Sequence, residues 1–420
     1  MKELLFLVHR IPYPPNKGDK IRSFNLLKHL TRHYRVHLGT FIDDPHDWRH
    51  VPAVKEMCGE TCIVGLHPIW ARLRSLVALI RGEPMSLPYY RNPRLKAWVN
   101  ALLGGGSVRR VLVFSSAMAQ YVTHTGRDMR CVMDFVDMDS AKWSQYSRNH
   151  SWPINWLYRR EGEALLRYER EQAGRFDLSL FVSEAEAALF KTHAPESAHR
   201  VTYIENGVDS DYFSPDREYP DPYAPEEKVL VFTGGMDYKA NIDAVVWFAR
   251  DIFPGIYAQD AAARFYIVGA RPTKAVLQLS TLPGVRVTGA VADIRPYLAH
   301  ARAAVAPLRI ARGVQNKILE AMAMGRPVLA TSQAMEGIQA CPGLDSLVTD
   351  APDAMVKQGL ALLSAENTTA FGRRGRECVL RHYNWNDNLN RIVEMLEGNA
   401  DSAGPTHSFQ RASLLRQGRA

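Results

Sequence analysis

Between residues 303 and 330 the chain reads as a buried strand over 303–307, a loop opening at Gly313, a helix over about 314–324, and a second strand after Gly325-Arg326-Pro327. The helix starts on a polar run, Gln315-Asn316-Lys317, preceded by Arg312, Gly313 and Val314. Its first backbone N–H groups have no partner within the helix, and the positive end of its dipole points the same way. A helix end of this kind holds phosphate. Glu320 lies one turn inward, well placed to accept hydrogen bonds from a sugar diol and badly placed to touch the phosphate itself. The alternative is an ordinary capped helix start with Glu320 on a solvated face.

Three other stretches carry candidate chemistry. Near the amino terminus a short apolar strand over 4–8 and a Pro-rich turn lead to Asn16-Lys17-Gly18-Asp19-Lys20, followed by a helix with Ile21, Phe24, Leu27 and Leu30 on one face. Gly18 between two lysines suits a phosphate-facing turn, or equally a solvated one; it is neither a G-x-G-x-x-G nor a Walker loop. In the second half a strand over 228–232 ends in Thr233-Gly234-Gly235-Met236-Asp237-Tyr238-Lys239. There Gly235 and Lys239 are candidate substrate contacts, Lys239 either a cation for a leaving group that gains charge or an exposed loop lysine. The run Asp134-Phe135-Val136-Asp137-Met138-Asp139 offers Asp134 and Asp137 for substrate contact or for helix capping. No oxygen-rich partner segment accompanies it, so no metal and no other cofactor is expected.

The elements that would position these residues alternate along the chain. Strand-like segments over 36–41, 61–66, 110–115, 130–135 and 178–183 are separated by helical ones, and the pattern restarts at 228 with strands over 264–269 and 285–289. This is an α/β class, a mostly parallel sheet with helices on both faces, occurring twice. Asn206-Gly207 is a turn signal, and Pro220, Pro222 and Pro225 follow it. The expected division is therefore an amino-terminal domain 1–207, a linker 208–227, a carboxy-terminal domain 228–382, a final helix 383–397 and a disordered tail 398–420.

A chain of 420 residues has room for two such cores, and 46% hydrophobic with 23% charged residues is ordinary for an enzyme. No apolar run reaches the length of a membrane span, and the opening MKELLFLVHR reads as a strand rather than a signal peptide. Five scattered cysteines suggest a reducing compartment, hence a cytoplasmic protein. Cys58 and Cys62 have no His at ligand spacing, so a zinc site is not expected. Of the net charge of +8, residues 1–215 hold 29 Lys and Arg against 23 Asp and Glu. Residues 66–96 contribute Arg72, Arg74, Arg81, Arg91, Arg94 and Lys96 against Glu83 alone, interleaved with Ile69, Trp70, Leu73, Leu76, Val77 and Ile80. Such a segment either rests on an anionic membrane surface or turns its apolar face to the core. Nucleic acid is not an expected partner, because no basic run or aromatic RNA-binding signature occurs.

Gly313, Glu320 and Ala321-Met322-Ala323-Met324-Gly325-Arg326-Pro327-Val328 resemble the carboxy-terminal signature of the group 1 (family 4) retaining glycosyltransferases. Asn206-Gly207-Val208-Asp209 resembles that family's hinge, and His382-Tyr383-Asn384-Trp385 its aromatic element before a last helix that returns to the first domain. The resemblance covers roughly 200–390. It implies two Rossmann-like domains facing each other across a cleft (the GT-B architecture), and a nucleoside diphosphate sugar as donor with retention of configuration. In that reading Glu320 holds the ribose, while Lys239, Arg312 and the 313–317 helix start neutralise the diphosphate without a metal. Two family side chains are absent: Arg312 replaces the first Glu of the signature, and Met236 stands near the family's loop Arg. A nucleotide-sugar-binding protein without transfer activity, and a nucleotide-sugar 2-epimerase, are therefore the alternatives. Pro14-Pro15-Asn16-Lys17-Gly18-Asp19-Lys20-Ile21-Arg22-Ser23 with the 134–140 run resembles the exopolysaccharide subgroup associated with exosortase (PEP-CTERM) systems. That implies a glycan or polyprenyl-linked acceptor and peripheral placement at the inner membrane face.

Overall fold

A computed structural model describes residues 1–15, 18–123, 128–148, 150–311, 313–338, 347–364 and 368–398. Two parallel sheets organise it. The first contains β1 (Lys2–Val8), β2 (Tyr34–Ile42), β3 (Thr61–Gly65), β4 (Val108–Phe114), β5 (Arg130–Val136), β6 (Leu178–Phe181) and β7 (Val201–Tyr203), in the order β3-β2-β1-β4-β5-β6-β7. The second contains β8 (Lys228–Thr233), β9 (Ala263–Val268), β10 (Val285–Gly289), β11 (Ala303–Ala306) and β12 (Val328–Ala330), in the order β10-β9-β8-β11-β12. Leu4, Leu5, Phe6 and Leu7 in succession are fully buried because helices cover both faces, which is why the central strands read as unbroken apolar runs.

Each strand order reverses once, between β1 and β4 in the first sheet and between β8 and β11 in the second. A crevice opens at such a reversal outside the carboxyl ends of the strands, and ligands bind there. Helix Gly18–Leu30 starts beside the first crevice and helix Asn316–Ala323 beside the second. The last helix, Trp385–Glu397, crosses to the first domain. Leu389, Ile392 and Leu396 share a cluster there with Leu4, Phe6 and Leu26, and Glu397 accepts hydrogen bonds from Tyr34 and Arg110. At the crossing, a Cβ on Gly207 would lie 2.7 Å from the Trp385 backbone, and Val208 N–H donates to the Tyr383 carbonyl.

Sequence and structure differ in four places. The edge strand β7 is only three residues long and was not anticipated. The helix expected from 314 begins at Asn316, because Gly313 at φ +65° keeps the loop open. The 66–96 segment is broken into helices Pro68–Ser75, Val77–Arg81 and Ser86–Tyr89, with Gly82 in the left-handed region and Pro84 and Pro93 stopping propagation. Leu66, Leu87 and Leu95 are buried, but Ile69, Trp70, Leu73, Leu76, Val77 and Ile80 face solvent, so the core-facing alternative is overturned for those six. Finally, helix Gly18–Leu30 buries Arg22, Ser23, Leu26, Leu27 and Leu30, while Ile21 and Phe24 are only half-buried, because ion pairs let Lys20 and Arg22 turn inward. Arg312, Asn16, Lys17 and the tail from 399 lie outside the described residues.

Candidate active site between the two domains

The start of helix Asn316–Ala323 has Gln315 at its cap position, and the Gln315 side chain makes no capping hydrogen bond to its first N–H groups. Lys317 leaves this helix toward the turn that ends β8. Its Nζ donates to Asn241 Oδ1 at 2.5 Å, lies 4.3 Å from the Phe232 ring centroid, and would meet a Cβ on Gly234 at 3.4 Å. Asn241 in turn donates to the Gly235 carbonyl at 2.9 Å, which pins the glycine turn beneath the ammonium. Burial pushes the Lys317 amine down to about 7, partly opposed by the nearby Glu320 carboxylate. Burial pushes Glu320 up to about 7, partly opposed by Lys317. Among the described residues no donor engages the Glu320 carboxylate. A cation that resists its charge and a carboxylate that no described donor hydrogen-bonds form a site that an anion and a diol would complete.

The amino-terminal domain meets this site at three points. A Cβ on Gly18 would lie 3.7 Å from Asn316 Nδ2, so the two helix starts face each other. A Cβ on Gly313 would fall 2.1 Å from Asp137 Oδ1, so only glycine admits that carboxylate against the loop. Asn206, from the crossing segment, donates to Asn316 Oδ1 at 3.4 Å. Asp137 is held by Lys142, whose Nζ reaches Asp137 at 2.7 Å and Asp139 at 3.1 Å. Val314 packs against the second core, and Gln315 donates to the Gly313 carbonyl at 3.4 Å.

Two expected site residues are engaged by other protein groups. Asp134, proposed for substrate contact, has no accessible surface; it binds Arg22 Nε at 2.8 Å and the Val136 N–H at 3.0 Å. A carboxylate this deep positions its partner instead of a substrate. Lys239, proposed for the leaving group, is exposed and reaches across the cleft, with its Nζ 2.8 Å from His150 Nε2 and 5.6 Å from the Tyr146 ring centroid. In this arrangement it joins the lips of the cleft.

Arg22 escaped the sequence reading. It is fully buried, and its Nη1 donates to the Ile204 carbonyl at 2.8 Å and to Asn206 Oδ1 at 2.9 Å. Arg22 therefore links Asp134 on β5 to the crossing segment and, through Asn206, to Asn316. The available signal was a charged residue one position off an apolar face, within a phrase already noted. The aromatic group Trp143, Tyr146, Tyr158 and His150 beside Lys239 was also missed; its ring centroids are 5.2–6.2 Å apart. It joins two helices, Asp139–Arg148 and Ile154–Arg175, whose pairing only the fold reveals.

Residues 227–365 match the family described as glycosyl transferases group 1. No curated protein matches the chain. Among solved structures, sucrose-phosphate synthase from Thermosynechococcus elongatus superposes with a TM-score of 0.69 at 16% identity, covering 95% of this chain and 99% of its own. WaaG, a glycosyltransferase involved in lipopolysaccharide biosynthesis, gives 0.64 at 14% identity over 94% and 100%. HepE of Anabaena in complex with UDP and glucose gives 0.62 at 15% identity, also over 94% and 100%. The family model thus matches the carboxy-terminal domain, and the whole chain shares the two-domain fold of these solved structures.

Proposed function

We propose that this protein is a retaining, metal-independent glycosyltransferase that moves a sugar from a nucleoside diphosphate sugar to a glycan or polyprenyl-linked acceptor in bacterial exopolysaccharide synthesis. Its place of action in this reading is the cytoplasm, peripherally at the inner membrane face. The observation that carries the reading is the helix start at Asn316, uncapped by Gln315, with Lys317 over the Gly234-Gly235 turn and Glu320 one turn inward, engaged by no hydrogen-bond donor among the described residues. As the bond from the sugar to the diphosphate breaks, negative charge gathers on the departing phosphate oxygen. The helix N–H groups and the Lys317 ammonium stand where they can meet it. Glu320 accepts from the ribose hydroxyls. Lys239 and Arg312 add positive charge when the cleft holds a donor, which requires Lys239 to leave His150. Retention of configuration rests on the resemblance of the 313–328 signature and on no distance within the site.

The test is thermal unfolding across a panel of nucleoside diphosphates, since a ligand that binds only the native state stabilises it by about 2.7 kcal/mol at a hundredfold excess over its Kd. A rise in midpoint for one base, followed by turnover with a lipid-linked acceptor, supports the reading. A rise without turnover, with any acceptor, would leave a binding protein. Donor interconversion without acceptor would make it an epimerase.

A further inference from the structure

Helices Pro68–Ser75 and Val77–Arg81 are packed the wrong way round for a globular protein. Their buried residues are the small ones, Ala71, Ser75 and Ala78, at helical spacing. Their large apolar residues stand outward: Trp70 is 69% exposed and Ile80 90%, with Ile69, Leu73, Leu76 and Val77 also exposed. A second exposed apolar set, Trp152, Ile154 and Trp156, lies at the start of helix Ile154–Arg175, and Trp152 is 80% exposed. The fold joins the two. Arg160 donates to the Ala78 carbonyl at 2.6 Å and to the Glu83 carbonyl at 2.9 Å, and Glu161 accepts from Met85 N–H at 2.8 Å. Trp156 precedes Arg160 by four residues and so shares its helix face, beside the 77–81 helix. Apolar surface of this extent on one side of a domain marks an interaction site.

Charge selects the partner. Residues 61–82 contain the exposed Arg72, Arg74 and Arg81 and no acid; residues 140–160 contain the exposed Arg148 and Arg159 and no acid, while Lys142 is held by Asp137 and Asp139 and Arg160 by Glu161. A second copy of the chain on a twofold axis would set the exposed arginines against each other with no acid in either stretch to receive them. Exposed tryptophans and aliphatics among arginines suit the boundary of an anionic bilayer, where the rings sit at headgroup level and the cations meet lipid phosphate. Among the described residues no helix is long and apolar enough to cross a membrane, so the chain would lie on the surface. We infer that the 68–81 helices and the 152–156 segment together form one seat for an anionic lipid bilayer. Trp152 is two residues from His150, which meets Lys239 at the cleft mouth, so the seat brings that mouth to the lipid surface. Only this last consequence, delivery of a lipid-borne acceptor, rests on the proposed function; the seat itself does not.

The experiment is co-sedimentation of the full chain with vesicles of phosphatidylcholine alone and of phosphatidylcholine containing phosphatidylglycerol, at low and high salt. The expected result is partition onto the anionic vesicles only, weakened by salt. Trp70→Ser/Ile80→Ser and, separately, Trp152→Ser/Trp156→Ser each lower it by on the order of tenfold or more. Both pairs are exposed, so the unfolding midpoint and the response to nucleoside diphosphates stay as in the parent, which separates failure of the seat from failure of the transferase reading. Equal binding to neutral vesicles, or no loss in the 152/156 variant, would overturn the inference. So would a dimer that Ile80→Asp dissociates while no vesicle binds, because that would assign the surface to a second copy.

Discussion

Binding of a nucleoside diphosphate sugar should exchange protons with solvent, and the direction should reverse near pH 7. In the empty site burial lowers Lys317 to about 7, so at pH 8 the neutral amine predominates. A diphosphate beside Nζ restores the charged form, and binding then takes up protons at pH 8 and far fewer at pH 6. Glu320 behaves in the opposite sense. Burial raises it to about 7, so at pH 6 it is mostly protonated; ribose hydroxyls favour the ionised form, and binding releases protons there and far fewer at pH 8. The diester phosphates of a sugar nucleotide do not titrate in this range. Calorimetry at each pH, in buffers of different ionisation enthalpy, reads the exchange directly. Glu320→Gln should abolish the release at pH 6 and keep the uptake at pH 8, and Lys317→Met should do the reverse. In the ligand-free protein the same shifts imply that stability falls from pH 4.5 to about 7 as Glu320 is forced to ionise, then rises from about 7 toward 10.5 as unfolding no longer gains the Lys317 proton. No exchange at either pH, or uptake at pH 8 that survives Lys317→Met, would refute the assignment of this pair to the donor site.

Glu320→Gln should also weaken donor binding by about 10–100-fold, the scale of a hydrogen bond to a charged group, while leaving the empty protein at least as stable by thermal unfolding. Gly313→Ala places a methyl 2.1 Å from Asp137 Oδ1 in a left-handed residue; a loss of about 1–2 kcal/mol in stability and a raised KM for donor are expected, measured by denaturant titration and steady-state kinetics. Arg22→Met strands Asp134, and a loss of about 3–5 kcal/mol is expected at pH 7. Burial already raises the Asp134 carboxyl, so this loss should shrink as pH falls and the carboxyl is neutralised, and adding Asp134→Asn should restore much of it. Turnover is expected to persist in excess chelator, and a requirement for added divalent cation would remove Lys317 and the helix start as the sole partners of the leaving group.

Fold class was legible because parallel strands buried on both faces leave apolar runs such as Leu4–Leu7 and 229–232, and because glycine, asparagine and proline punctuate the joins. The stretch around Glu320 was legible for the same reason: a strand, a glycine loop and a helix are contiguous, so spacing alone sets their local geometry. The contacts that make a cleft were not. Asp137 against Gly313, Arg22 beneath Asn206, and Lys239 on His150 join residues separated by 89 to 184 positions, or by the full gap between the domains, and no local period records them. The 68–81 segment marks the limit most plainly. Helical spacing identified which residues share a face, but whether Ala71, Ser75 and Ala78 or Trp70, Leu73 and Ile80 turned inward depended on long-range contacts such as Arg160 to the Ala78 carbonyl, and only the tertiary structure decides those.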